Sequence, residues 1–469
     1  MALIFSNSEQ KIFDKVRLAA QQMNTTCYAV GGFVRDKILQ RNSKDIDILC
    51  LSNGIELAEN VAQLLNPKIK VNIFKTYGTA MLRFEDIEVE FVGARKESYL
   101  PESRNPKVIQ GSFEDDIARR DFTINTLAYN LETNTIIDLY NGLDDIEKKI
   151  IRTPLNPNTT FSDDPLRMLR AIRFATQLQF EIEPATLLAI KENAHRIEII
   201  TAERVHTELN KIILSQKPSI GFKLLLQTNL LQYILPEMQA LLGVEVQNGI
   251  RHKDNFYHTL QVLDNISENT ENLWLRWAAI LHDIAKPNTK RFEEGIGWTF
   301  HGHEVVGGSI AYKIFKRLKL PLDHNLKYIQ KLIFLHLRPI ALTNAEITDS
   351  AVRRLLFEAG ESIDDLMMLC KADITSKDEY KVQKFQNNYK RVLQRMQDVE
   401  NKDKLRNWQP PISGDEIMQY FSLKPAPIVG QIKSAIRDAI LDGKIANTKN
   451  EAEIFMIQFA QNLGINPKN

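Results

Sequence analysis

The chain is 469 residues long, 43% hydrophobic and 25% charged, an ordinary globular composition whose length predicts several domains and which shows no internal repeat or low-complexity tract. The formal net charge of +1 excludes global charge as a source of attraction to RNA, so any such attraction must come from local basic stripes. No segment has the apolar run needed to cross a bilayer, and the N-terminal MALIFSNSEQK lacks a charged-then-apolar signal, so a cytoplasmic protein with no membrane partner is expected.

Residues 1–145 read as alternating strands and helices. Within them, YAVGGFVRDKILQRNSKDIDILC (28–50) carries the most information. Its apolar run ends at Gly31 and Gly32, where absent side chains let phosphate approach the backbone amides, and a helical segment with Arg35 and Asp36 follows. Asp45 and Asp47 alternate with Ile46 and Ile48, which puts both carboxylates on one strand face. Two-metal phosphoryl or nucleotidyl transfer needs that disposition to hold two Mg²⁺ ions. Downstream, IEVEFVGAR (87–95) places Glu88 and Glu90 on a shared face; Glu90 is the candidate third carboxylate and Glu88 the alternative. The blander reading is a turn followed by an edge strand with solvated acids.

RKESYLPESRNPKVIQG (95–111) is polar and broken by prolines, and it is not expected to form a regular element. In ARRDFTINTLAYN (118–130), Arg119 and Arg120 are near enough to Glu114, Asp115 and Asp116 to pair with them. The chain then turns helical, with PLNPNTTFSDDP (154–165) and PEMQALLGVEVQNG (236–249) as candidate linkers. In SDDPLRMLRAIRF, Pro165 suits a first helical turn that Asp163 or Asp164 could cap. Leu166, Leu169 and Ile172 form one stripe, and Arg167, Arg170 and Arg173 the stripe beside it. The spacing from Asp164 to Arg167 offers an acceptor and a donor side by side.

Most of the nine histidines fall between His252 and His336. His258, the pair His282-Asp283, His303, His336 and Asp373 make a mixed imidazole and carboxylate set suited to one or two divalent transition metals. His301 and His324 read as surface residues. Cys27, Cys50 and Cys370 lie in apolar contexts, as reduced core thiols do.

Taken in order, the first-half motifs resemble the DNA polymerase β nucleotidyltransferase superfamily, in its class II branch of CCA-adding tRNA nucleotidyltransferases and poly(A) polymerases. ARRDFTINTLAYN is similar to that family's RRDFTIN motif, DLYNGLDDIEKKIIRT (138–153) to its hinge, SDDPLRMLRAIRFATQLQF (162–180) to its base-reading motif and ERVHTELNKIIL (203–214) to the helix closing the neck. The histidine set resembles the HD phosphohydrolase superfamily, with a core of H…HD…D and His303 and His336 matching two-metal members. The segment 410–445 resembles the tail of bacterial CCA-adding enzymes, with Ala426 where their LxPGP pattern has glycine.

The resemblance implies an α+β protein: a small mixed-sheet, polymerase β-like head (1–145), then a largely helical neck that binds RNA and the nucleobase (146–245), an HD domain (246–400) and a tRNA-binding tail (401–469). It implies Asp45, Asp47 and Glu90 as catalytic, with Mg²⁺ on the two aspartates, and Gly31, Gly32, Arg35, Arg120, Asp121, Arg170 and Arg173 around the nucleotide. Arg120 would meet the triphosphate, Asp121 the ribose or an arginine, and Asn125 would fix the turn. The segment 95–111 corresponds to a flexible loop needed for adding the terminal A and looks full length. Cytosine and adenine share an amino donor beside a ring-nitrogen acceptor, which uracil and guanine invert. Asp164 accepting and Arg167 donating would therefore select C and A with no template, each mismatched buried group costing about 1–3 kcal/mol. The expected activity is CCA addition to tRNA from CTP and ATP, with a Ni²⁺, Mn²⁺ or Co²⁺ phosphohydrolase site in the HD domain. The alternatives are a poly(A) polymerase or A-adding enzyme, a nucleotide-sensing HD phosphohydrolase, and an HD fold retired to packing or RNA binding.

Overall fold

A computed structural model describes residues 3–75, 78–100, 103–344, 348–375, 378–403 and 408–466. The α+β chain divides into two compact units, Met1–Pro236 and Glu237–Asn469.

In the first unit, Ser6 and Glu9 form a capping box that starts α1 (Asn7–Gln22). β1 (Cys27–Val30) leads through Gly31 into α2 (Gly32–Ile38), and β2 (Asp45–Cys50) follows. Asn53 caps α3 (Gly54–Leu65), after which β3 (Asn72–Phe74), β4 (Thr79–Phe84) and β5 (Ile87–Gly93) complete one side of the sheet. The strand order is β3-β4-β5-β2-β1, and then β8 (Ala128–Asn130) and β9 (Thr135–Ile137). All neighbours are antiparallel except β2 and β5, which run parallel with Asp45 opposite Glu88 and Asp47 opposite Glu90. Alternation then sorts the strands by face: Ile46, Ile48, Val89 and Phe91 are buried, whereas Asp45, Glu88 and Glu90 are exposed.

The segment after β5 departs from expectation. Instead of remaining irregular it forms a two-stranded antiparallel ribbon, β6 (Arg95–Leu100) with β7 (Ser103–Gln110), and residues 101–102 lie outside the described set. Pairing is regular from Arg95–Gln110 to Ser98–Lys107 and shifts before Leu100–Ser103. Pro106 is not among the paired residues, and an isolated ribbon has two open edges where a missing N–H costs little.

α4 (Phe113–Ala118) opens with a second capping box, and α5 (Gly142–Lys148) is held at its start by Asp138, whose carboxylate accepts from the Gly142 and Leu143 amides at 2.8 and 2.9 Å. A Cβ on Gly142 would sit 2.3 Å from the Thr123 carbonyl oxygen, so only glycine allows this approach. Thr123 donates to Asp145 at 2.6 Å and Arg152 pairs with Asp145 and Glu183. The candidate linker 154–165 instead contains α6 (Pro157–Asp163), because Asn156 caps it and Pro157 fits its first position. α7 (Leu166–Leu178) packs on α9 (Ala202–Ile213), and α6 on α8 (Pro184–Asn193).

Among the described residues, the second unit is helical apart from two small hairpins. Helices Asn255–Ser267, Leu273–Leu281, His303–Arg317, His324–Leu335 and Ile363–Ala372 carry the histidine constellation on or beside their ends. Three later helices, Gly414–Phe421, Pro427–Leu441 and Lys449–Asn462, enclose a core of Ile417, Phe421, Ile432, Ile436 and Met456. Ala426 has φ −155° and ψ 156°, extended backbone that any residue adopts, so its turn does not require glycine. Among the described residues, no helix is long and apolar enough to cross a membrane.

Candidate active site and metal centre

The β2–β5 register brings Asp45, Asp47 and Glu90 to one side of the sheet. Burial raises the Asp47 carboxyl above its ordinary range; Arg120 pulls it down, and Glu90 and Asp45 push it up again. This is a concentration of negative charge from oxygen ligands alone, the donor set that fits Mg²⁺. Gly31 lies against it with φ +75°: a Cβ there would come within 2.8 Å of Arg120 Nη1 and 3.4 Å of Asp47 Oδ2. Glycine therefore keeps the space between the Asp47 carboxylate and Arg120 open. Gly32 begins α2 without such crowding, its nearest neighbour being Arg35 at 3.5 Å.

Asp116, fully buried, takes both members of the Arg119-Arg120 pair, at 2.6 and 3.2 Å. Arg120 keeps a buried Nε without a partner, whereas Arg119 makes two bonds to one Asp116 oxygen. Behind them runs a network that links the turn to α7. Arg35 donates to Asp36 and, at 2.7 Å, to Asn125 Oδ1; Asn125 Nδ2 donates to Asp121 Oδ1 at 2.9 Å; Arg170 Nε donates to Asp121 Oδ2 at 2.7 Å. The Phe174 ring lies among three guanidinium groups, those of Arg173, Arg35 and Arg170, at 4.1, 4.8 and 5.5 Å. Arg173 also pairs with buried Glu208 on α9 at 3.0 Å, and burial lowers its pKa to about 10. Arg35 and Arg173, each 7% exposed, are thus committed inside the protein, which departs from the expectation that they face phosphate. Arg170, whose side chain is 35% exposed, and Arg120 remain available at the surface of the network.

Burial alone would raise Asp121, but Arg170 and Asn125 outweigh it and hold the carboxyl at about 2. A depressed folded-state pKa stabilises the protein above the unfolded value and loses that contribution as pH falls through the folded one, here worth about 2 kcal/mol. Asp121→Asn should therefore be destabilised by a constant amount from pH 7 down to about pH 4.5, with the gap closing toward pH 2. Denaturant titrations of both proteins across that range measure it; a gap already closed at pH 4 would contradict the assignment.

Asp164 and Arg167 stand at the start of α7 with part of each side chain anchored. Asp164 Oδ1 accepts from the Leu166 amide at 3.1 Å, the expected cap, while its Oδ2 is 3.6 Å from Arg204. Arg167 Nη2 donates to the Arg119 carbonyl at 2.7 Å. Sequence reasoning offered Asp116 as a partner of Arg119 and Arg120 but passed over Phe174, and it passed over Arg204 and Glu208, whose partners Asp164 and Arg173 are remote in the chain.

In the second unit, His258, His282, Asp283, His303, His336 and Asp373 converge. Two groups, His258-His282-Asp283 and Asp283-His303-His336, each have ligand atoms close enough to share one ion, and Asp283 belongs to both. His258 Nε2 is 2.8 Å from Asp373, His282 Nε2 and His303 Nε2 are each 3.3 Å from Asp283, and His303 Nε2 is 3.3 Å from His336 Nε2. The opposite ring nitrogens of His282, His303 and His336 face the carbonyls of Ala279, Phe300 and Ile333 at 2.8, 2.7 and 2.6 Å. An N–H given to a carbonyl at Nδ1 leaves Nε2 as the ligand atom, so three imidazoles aim Nε2 into the cluster. His258 Nδ1 differs, lying 2.9 Å from both Lys253 Nζ and Thr375 Oγ1. Burial opposes charge on His282, yet Asp283 and Asp373 push its pKa up to about 10. Lys286 adds an ammonium 2.6 Å from Asp283. Buried Asp283 and half-buried Asp373 thus draw imidazoles and an ammonium around them, with the buried His282 Nε2 3.3 and 3.5 Å from the two carboxylates, features that fit divalent metal.

Comparison with known proteins follows the same order along the chain. The poly A polymerase head domain matches residues 27–152, the probable RNA and SrmB-binding site of polymerase A residues 179–242, and the HD domain residues 255–378. The A-adding tRNA nucleotidyltransferase of Deinococcus radiodurans is 31% identical over 363 residues, 75% of this chain and 80% of that protein. The CCA-adding enzyme of Ligilactobacillus salivarius is 28% identical with 93% of each chain covered, and the CC-adding tRNA nucleotidyltransferase of Thermus thermophilus 28% identical with 92% and 93% covered. The fold is that of the Bacillus stearothermophilus CCA-adding enzyme in complex with CTP, with a TM-score of 0.69 at 20% identity over 98% of this chain and 99% of that one. With the head domain, helix α7 and the HD domain all in place, the chain belongs to the class II family of CCA-adding tRNA nucleotidyltransferases and poly(A) polymerases and is a nucleotidyltransferase with an HD-type domain.

Proposed function

We propose that the protein adds C, C and A to tRNA 3′ ends from CTP and ATP without a template, acting in the cytoplasm through a head (1–145), neck (146–245), HD domain (246–400) and tRNA-binding tail (401–469). The observation carrying this reading is the alignment of Asp45, Asp47 and Glu90 beside Arg120, in the same unit as an Asp164–Arg167 pair anchored at the head of α7. Asp45, Asp47 and Glu90 would hold Mg²⁺, which supplies charge neutralisation at the α-phosphate and acidifies the attacking 3′ hydroxyl. Gly31 and Gly32 leave room for phosphate, Arg120 and Arg170 bind it, and Arg35, Asn125 and Asp121 keep Arg170 in position. The cap on Asp164 and the Arg119 carbonyl under Arg167 fix the two base-reading groups, so a wrong base edge is rejected rather than accommodated.

The HD cluster is assigned on the same terms as a phosphohydrolase centre. His258, His282, Asp283, His303, His336 and Asp373 would hold Ni²⁺, Mn²⁺ or Co²⁺, ions that imidazole-rich sites prefer to Mg²⁺. Such ions supply Lewis acidity toward a phosphate ester.

Relatives of similar identity are named as A-adding, CC-adding and CCA-adding enzymes, so product specificity requires direct assay. tRNA transcripts ending before CCA, after C and after CC are offered with each nucleotide, and the products are sequenced. Completion of CCA from all three supports the proposal. Arrest at CC, extension only from CC, a long A tail, or binding without extension would each replace it with a different activity. In the same assay Asp164→Ala should raise misincorporation of U and G about tenfold relative to C and A, as loss of one hydrogen bond of roughly 1–2 kcal/mol predicts. Unchanged selectivity with lower stability would reduce Asp164 to a helix cap.

A further inference from the structure

Cys27 and Cys50 are direct cross-strand partners on β1 and β2. The Leu51 amide donates to the Thr26 carbonyl at 3.2 Å, while Cys27 turns its own carbonyl the other way, to the Leu131 amide at 3.3 Å. Cys27 and Cys50 therefore form a non-hydrogen-bonded antiparallel pair, the kind whose Cα atoms are about 4.5 Å apart and whose side chains approach most closely. Disulfides bridge Cα separations of roughly 4.4–6.8 Å, so the backbone already meets the requirement. Both thiols are free and buried.

Their surroundings make the two sulfurs unequal. Cys50 Sγ accepts from the Ser52 amide at 3.4 Å and has the hydroxyls of Ser52 and Thr25 at 3.1 and 3.7 Å. The hydrogen bond from Cys27, with the Ser52 and Thr25 donors behind it, lowers the Cys50 thiol to about 6 against the pull of burial, while Cys27 is raised. A cavity of about 500 Å³ reaches this pair: Cys27, Thr25, Thr26 and Ser52 line it, with Arg17 and Leu51. Thr25 and Ser52 touch both the cavity and Cys50, so a molecule as small as hydrogen peroxide has one side-chain layer to cross.

We propose that Cys27 and Cys50 are a modification site, an oxidisable dithiol that small hydroperoxides convert into a reversible disulfide joining β1 to β2. The Cys50 sulfur attacks one peroxide oxygen, the O–O bond breaks, and the thiol proton leaves with the other oxygen as water. Cys27 then attacks the sulfenic sulfur, the S–O bond breaks, and the Cys27 proton departs with hydroxide as a second water. Two thiols and one hydrogen peroxide thus give one disulfide and two waters. The bond would close one end of a strand pair whose other end, at Val30–Asp47, abuts the catalytic turn.

Full-length protein is treated with hydrogen peroxide, quenched with catalase, denatured and alkylated, and its intact mass and peptides are measured. Before oxidation three thiols should alkylate, those of Cys27, Cys50 and Cys370. Afterwards one should, that of Cys370, with a peptide cross-link between Cys27 and Cys50 and recovery of all three on addition of dithiothreitol. In Cys27→Ser, Cys50 should stop as a sulfenic acid trapped by dimedone, which the wild-type protein does not accumulate. Three alkylating thiols at peroxide doses that oxidise a free peptide thiol would overturn the proposal, and so would oxygen addition without a cross-link or a link made through Cys370.

Discussion

Asp47→Asn, and equally Asp45→Asn, is expected to lower nucleotide addition by roughly 10³-fold or more, because several kcal/mol of metal-borne charge stabilisation are lost at about 1.4 kcal/mol per tenfold. The amide has the carboxylate's shape without its charge. Stability should move the other way or not at all. In the folded protein burial, Glu90 and Asp45 all disfavour the Asp47 charge, and only the arginines oppose them. A group whose pKa rises on folding costs stability once pH exceeds its unfolded value, so neutralising Asp47 relieves strain at neutral pH. The melting temperature of Asp47→Asn in EDTA should thus match or exceed that of wild type, with tRNA affinity retained. Single-turnover extension of a tRNA ending in CC measures the loss of rate; addition at near wild-type speed would remove the two-metal assignment.

Asp283→Ala should abolish metal binding at both HD groups at once, because that carboxylate is the ligand they share. His336→Ala should spare the His258-His282-Asp283 group. Elemental analysis after reconstitution with Mn²⁺, Ni²⁺ or Co²⁺ is expected to find two ions per wild-type chain, one in His336→Ala and none in Asp283→Ala. Hydrolysis of phosphomonoesters and 2′,3′-cyclic nucleotides should vanish in Asp283→Ala, while CCA addition stays within about twofold of wild type, since the HD ligands are separated in sequence from every nucleotidyltransferase motif. A reconstituted wild-type protein without metal would leave an HD fold kept for another purpose.

Features set by spacing within one element were legible in the sequence. Asp45 and Asp47 share a face because strands alternate, and the His282-Asp283 pair pointed to the histidine and carboxylate cluster by residue type. What pairs across the chain was not. Arg35 and Arg173 read in the sequence, like Arg120, as cations free to meet phosphate, but their partners, Asn125 and Glu208, lie 90 and 35 residues away and bury them. The hairpin after β5 was missed because prolines and charges count against a strand, whereas a ribbon exposed on both edges tolerates them. Thr375 could not be tied to His258 by sequence because it reaches that ring from 117 residues away.

The parallel seam between β2 and β5 also determines where this protein can change length. Residues 51–86 cross from one strand to the other through α3 and the β3–β4 hairpin, and an insertion in the loops there leaves the ladder untouched. A single residue inserted just ahead of Val89 within β5 would carry Glu90 to the opposite face and set Val89 beside Asp47. The loops of the crossover can therefore change length while β5 itself is locked in steps of two residues, so insertions and deletions should accumulate in the loops of 51–86 and be absent from β4 and from Ile87–Gly93.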